Sequence, residues 1–191
     1  ARVATISALL QERYNATIGA THHKISIVLQ PDVNFSNGYV GLGPYRSEFF
    51  MMPPQNPFVL GSNSWTDNLA IHEFRHVQQY SNFNVGLSKF MGVLFGQNGR
   101  ALANAASVPD WFFEGDAVWN ETVLSGQGRG RLPLFLSSYK TVFRDGRNYS
   151  FMKMRNGSLR QYVPNHYELG YLLVSYGRQV YGDSIWKNVS N

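Results

Sequence analysis

The sequence predicts an α+β fold, a small sheet first and a mainly helical part after it. Three observations carry that reading. Residues 24–30 alternate, placing Ile25, Ile27 and Leu29 on one face, which is the period of a strand. Residues 39–52 hold short β-prone pieces, and the two longest later stretches, 66–80 and 109–123, read as helices.

Taken in order, Ile6, Leu9, Leu10 and Tyr14 fall at helical spacing, with Thr5 available as a cap. Pro31 ends the strand over 24–30. Asn37-Gly38 is a turn signal, followed by strands over 39–42 and 46–52. Pro53-Pro54 stops the second of these and suits an edge strand. A loop rich in Asn, Gly and Ser then leads into the helix over 66–80. Residues 85–95 are expected to be helical, with Asn98-Gly99 as the break. Pro109, a favoured residue in a first turn, opens the helix that runs to Val123. Residues 125–131, SGQGRGR, read as a flexible loop. A last helical region begins near Pro164 and continues past Tyr176. Gly182-Asp183 restarts a helix that stops with the chain at Asn191, so the native protein is expected to continue. Residues 1–191 are expected to form one domain.

Composition narrows the chemistry. Hydrophobic residues make up 43%, aromatics 15% and charged residues 15%, a globular balance rather than a disordered one. The net charge of +5 comes from scattered basic residues, apart from a small group at Arg129, Arg131 and Lys140. With no nucleic-acid motif beside them they read as a solvated surface, and no nucleic-acid partner is expected. The longest apolar patch, residues 90–95, is broken by Gly92 and is too short to span a bilayer. There is no cysteine, which excludes disulfides and thiolate metal sites and leaves His and carboxylates as the strong ligands. The lack of cysteine suits the cytosol as well as a bacterial export route, whereas the low charge and the high Asn and aromatic content point to export to the bacterial periplasm or outside. The sequence does not set an oligomeric state.

His72-Glu73-Phe74-Arg75-His76 is an HExxH motif. Two imidazoles four residues apart on a helix project from the same face, close enough to share one ion. Zinc takes nitrogen ligands at about 2.0–2.1 Å, so the pair suits Zn2+ without a strained backbone. Glu73 sits one residue on, about 100° around the helix. It therefore stands beside the ion rather than on it, where it can take a proton from a metal-activated water. Ala70, Phe74 and Val77 form an apolar stripe roughly opposite, so one face can pack while the other opens to a cleft.

Downstream, Trp111-Phe112-Phe113-Glu114-Gly115-Asp116-Ala117 carries a family resemblance. HExxH followed at a distance by W-F-x-E-G-x-A resembles the gluzincin metallopeptidases, the group that includes thermolysin and the zinc aminopeptidases. The resemblance covers roughly residues 65–177. It implies a zincin-like fold, zinc-dependent hydrolysis of a peptide or protein substrate, and Glu114 as the third metal ligand. A catalytic zinc does need three protein ligands and an open position. A carboxylate among Trp111, Phe112 and Trp119 would also be costly to bury without a cation.

The pattern departs from thermolysin four residues after the ligand Glu, where a polar residue orients a ligand His and this chain has Val118. Support for the ligands must come from elsewhere. Glu121 and Asp116 are candidates, and each reads first as an ordinary surface charge. Residues 165–171 are similar to the final helix of peptidase domains in this group, where a Tyr faces the metal. That likeness implies Tyr167 as the donor to the oxyanion, with His166 and Tyr171 as alternatives. The strand over 46–52 is similar to the edge strand on which zincins bind extended peptides. His22 and His23, being adjacent, read as surface residues. Two other readings stay open: a non-haem iron enzyme, since two His and a carboxylate also make that triad, and a non-catalytic metal- or peptide-binding module. The helical setting of both His argues against the first, and an intact Glu73 against the second.

Overall fold

The computed structural model describes residues 1–13, 17–19, 21–56, 58 and 61–187. Tyr14 and the end of the helix expected to restart at Gly182-Asp183 lie outside the described residues. Helix α1 (Arg2–Arg13) comes first, starting well before the expected cap at Thr5. Strands β1 (Ser26–Gln30), β2 (Ser36–Leu42) and β3 (Tyr45–Met51) form one mixed sheet in the order β1-β3-β2. β1 runs parallel to β3, and β2 runs antiparallel to it.

Two expectations about the sheet are corrected. Asn37-Gly38 is not a turn: both residues lie within β2, opposite Phe50 and Phe49, and the β2–β3 turn falls at Gly43-Pro44. Gly38 is small because α2 presses on it. A Cβ there would meet Leu69 Cδ1 at 2.5 Å and Glu73 Oε1 at 3.1 Å. A glycine inside a strand marks such a close approach as readily as a turn. The strand over 46–52 is not an edge either. β3 is the central strand, paired on both sides, and β2 is the edge beside the helices.

Helix α2 (Trp65–Asn82) is capped by Ser64, whose side chain accepts from Asp67 N at 3.3 Å. Fourteen of its eighteen residues are buried, so its polar side chains need partners within the protein. On one side Leu69 and Ala70 pack with Phe49 of β3 and Val3 of α1. α3 (Gly86–Ser107) follows and bends at Gly96 (φ 64, ψ −152), a conformation open to glycine. Asn98-Gly99, expected to break the helix, instead lies within it beyond the bend, and Gly99 is buried against Met91 and Phe95.

α4 (Asp110–Leu124) starts one residue after Pro109, which takes the N-cap position. The segment expected to be a flexible loop is tied down instead. Arg129–Arg131 forms a 3-10 turn, and Gly130 N donates to Thr122 Oγ1 at 3.0 Å. Short helices α5 (Ser137–Arg144) and α6 (Phe151–Asn156) lead to α7 (His166–Tyr181). Asn165 Oδ1 caps α7 by accepting from Tyr167 N at 2.8 Å. Phe112 and Phe113 of α4 pack with Val174 of α7, Phe83 and Ile18 to make the second core. The described residues thus form seven α-helices and a three-stranded mixed sheet, an α+β fold. Among the described residues no helix is long and apolar enough to cross a membrane.

His22 is half-buried rather than a surface residue. Its ring stacks on Phe74 with centroids 6.2 Å apart, and burial lowers its pKa. His23 is exposed, as expected.

Candidate metal centre

α2 carries His72, Glu73 and His76, and its buried course through the fold brings α4 against it. Glu114, on the first half of α4, meets the two imidazoles. His72 Nε2 is 3.1 Å from Glu114 Oε2 and 3.3 Å from His76 Nε2, and His76 Nε2 is 3.5 Å from Glu114 Oε2. Three donors bound about 2.0–2.1 Å from one ion at tetrahedral angles stand roughly 3.3–3.4 Å apart. The triangle therefore has the size a tetrahedral metal site requires.

The far side of each ring agrees. His72 Nδ1 donates to Glu121 Oε2 at 3.0 Å, and His76 Nδ1 donates to Gln79 Oε1 at 2.8 Å. The Gln79 amide is oriented by its own donations to Phe113 O and Asp116 Oδ2, both at 2.9 Å. With both Nδ1 protons engaged, both Nε2 lone pairs point at each other and at a carboxylate. Such an arrangement could hold a metal ion between them. The proton equilibria show how strongly the three groups interact. Burial alone would lower the His72 imidazole, but Glu114 and then Glu121 outweigh it and raise it to about 9. Glu114 is held far below the usual carboxylate range by His76 and His72, against the cost of its burial.

Glu121 and Asp116 are both fully buried, not surface charges. Glu121 accepts from His72 and is gripped by Arg129 through Nε at 2.7 Å and Nη2 at 3.0 Å. Arg129 Nη2 also comes within 2.9 Å of His72 Nδ1, but its protons serve the carboxylate. Against the cost of burial, Arg129 first and His72 next bring the Glu121 carboxyl down to about 2. Asp116 joins three helices: it accepts from Arg75 Nε at 2.7 Å, from Gln79, and from Arg178 Nη2 at 3.0 Å. It is linked to the cluster through Gln79 and His76. Sequence reasoning missed Gln79 and Arg129. Gln79 stands three residues after His76, one turn on and on the same face, which was the available signal.

Of the three clustered residues His72 lines a cleft of about 510 Å³, walled by Trp65, Leu69, Leu132, Leu134 and Phe135. Ser36, Asn37 and Gly38 of the edge strand β2 form another part of its lining. Glu73 reaches the cleft from α2. Its carboxyl is raised by burial, an effect offset in part by His72 and His76. Tyr167 lines the cleft as well, its ring stacked on His72 with centroids 6.3 Å apart and planes 20° apart. The Arg129 guanidinium lies 5.4 Å from the centroid of the same ring. Burial, then the neighbouring Glu114, push the Tyr167 phenol above its ordinary range, so it is a neutral donor. Tyr171 instead packs edge-on against Phe135, and His166 lies against the Tyr167 ring outside the lining of the cleft. No protein-family model matches the chain, and neither does any curated protein or solved structure.

Proposed function

We propose that this chain is a zinc-dependent peptidase with a zincin-like fold, of the gluzincin kind, that hydrolyses peptide bonds with Glu73 as general base. The observation that carries the reading is the triangle of His72 Nε2, His76 Nε2 and Glu114 Oε2, with sides of 3.1, 3.3 and 3.5 Å, beside the cleft-lining Glu73. These three residues would hold the metal. Bound zinc supplies a Lewis acid that polarises the scissile carbonyl and lowers the pKa of water.

The protein's own groups account for the rest. An extended peptide would pair with the outer edge of β2, where Ser36, Asn37 and Gly38 meet the cleft. The apolar walls at Trp65, Leu132 and Phe135 suit an apolar substrate side chain. Glu73 takes a proton from the attacking water as the water oxygen bonds to the carbonyl carbon. The carbon–nitrogen bond then breaks, and Glu73 returns that proton to the leaving amine. Tyr167 donates its hydroxyl hydrogen to the carbonyl oxygen as negative charge develops there.

Zinc-loaded protein incubated with a library of fluorogenic peptides should cleave a subset of them. Glu73→Gln should retain the metal and lose turnover by at least ~10²-fold. Cleavage that persists undiminished in Glu73→Gln would refute the mechanism. Stoichiometric iron in protein purified without added metal would replace zinc by the triad of an iron enzyme. A zinc-loaded protein that cleaves no peptide would leave a binding module.

A further inference from the structure

α3 stands out from the rest of the surface. Its first arm, before the bend at Gly96, exposes Leu87, Phe90, Val93, Leu94 and Phe95, each between 56% and 79% accessible. At about 100° per residue these five side chains sweep about 200° of the helix circumference. A helix packed on protein needs an apolar stripe only a little over 100° wide. A groove on a partner would therefore leave much of this apolar surface wet, whereas lipid closes around an inserted tip from every side.

The charges fit one kind of lipid. From Phe74 to Pro109 the chain contains no Asp or Glu. Lys89 is exposed at the margin of the apolar arc, and the chain as a whole carries +5. Ser88 ties down the base of this arm, and Gln97 and Arg100 tie down the helix beyond the bend. Ser88 Oγ donates to Phe83 O at 2.9 Å, Arg100 donates to Tyr80 O, and Tyr45 N donates to Gln97 Oε1 at 3.0 Å. Gln97 and Asn98 thereby sit at the Gly43-Pro44 turn, five residues along β2 from the cleft-lining Gly38, roughly 16 Å away.

We propose that the first arm of α3 is a docking element that enters the interfacial layer of an anionic lipid surface without crossing it. Phe90, Val93, Leu94 and Phe95 insert among the acyl chains, Lys89 meets the negative headgroups, and the cleft stays outside the layer.

The test is sedimentation of the whole chain with phosphatidylcholine vesicles, with and without phosphatidylglycerol. The protein should pellet with the phosphatidylglycerol vesicles and much less with phosphatidylcholine alone. Val93 is the most exposed of the set at 79%, so Val93→Asp should leave the melting curve unchanged and reduce the bound fraction at least ~10-fold. The neutral Val93→Ser should weaken binding to a smaller degree. Phe95→Trp should show a blue-shifted emission on adding vesicles. Glu73→Gln should bind vesicles as the native chain does, which separates this surface from the metal centre. The proposal is overturned if the native chain does not pellet, if it pellets equally with both vesicle types, or if Val93→Asp binds undiminished. A dimer in solution that Val93→Asp dissociates would also overturn it, by making the arm an interface between copies.

Discussion

Gly115 of α4 and Gly170 of α7 lie backbone against backbone, and neither has room for a Cβ. A Cβ on Gly170 would overlap the Trp111 carbonyl oxygen, and one on Gly115 would overlap the backbone of Gly170. Glu114 immediately precedes the first glycine, and Tyr167 lies three residues before the second. The close crossing therefore brings the carboxylate and the phenol together over His72.

Gly170→Ala should push the two helices apart, because the atoms it strikes are backbone and cannot swing away. Overpacking of this kind costs about 1–3 kcal/mol. The better helix propensity of alanine returns only about 1 kcal/mol. Urea denaturation should show a lower midpoint, and zinc titration a weaker site. An unchanged midpoint would mean that the crossing tolerates a wider spacing.

Asp116 should be the most costly side chain to remove from this part of the fold. It is the shared acceptor of Arg75, Gln79 and Arg178, and all four are buried. Asp116→Ala leaves the buried Arg75 without its carboxylate and Arg178 with only the more distant, exposed carboxylate of Asp183 at 3.7 Å, a loss of about 3–5 kcal/mol. A surface acid would change stability by no more than about 0.5 kcal/mol. Equilibrium unfolding separates the two, and a loss of well under 1 kcal/mol would refute the role given to Asp116.

These residues also show where sequence reading stops. His72 and His76 were legible because their relation is local, a single turn of one helix. Pro109 marked the start of α4 for the same reason. Glu114 could be tied to the pair only through a family resemblance, since nothing local reports that α4 crosses α2 at that point. Gly38 misled because a glycine serves equally in a turn and under a close-packed side chain, and the neighbours that decide, Leu69 and Glu73, lie over thirty residues away. The strand order was hidden too. The parallel pairing of β1 with β3 skips β2, and no alternation pattern encodes it. Glu121 reads as a surface charge until Arg129 folds back on it through a segment whose glycines signal flexibility.

Glu121→Gln tests how far the metal ligand depends on its support. Glutamine keeps an oxygen for His72 Nδ1 but loses the charge that holds Arg129. Changes to the outer partner of a ligating histidine usually weaken metal binding by about 10–100-fold. Competition with a chelator should show a zinc Kd raised within that range, while Glu114→Ala loses most of its metal. A Kd within about twofold of native for Glu121→Gln would mean that His72 is oriented by other contacts.

The last prediction concerns Tyr167. Its ring is fixed by His72 on one side and the Arg129 guanidinium nearby, so its position does not depend on its hydroxyl. Tyr167→Phe should therefore preserve the fold, the stacking and the zinc content. What it removes is a neutral donor whose pKa burial and Glu114 push upward, so the hydroxyl keeps its proton across the working pH range. A donor of that kind stabilises charge that appears only in the tetrahedral state, and its loss costs about 10²–10³ in kcat with little change in KM. Tyr171→Phe should be close to silent, because that ring faces Phe135. His166→Ala should be mild as well, since His166 lies outside the lining of the cleft. Steady-state kinetics on the three variants, with zinc content measured in each, decide the matter. If Tyr167→Phe keeps native kcat while His166→Ala loses it, the donor is the imidazole, and α7 must turn about its axis when substrate binds.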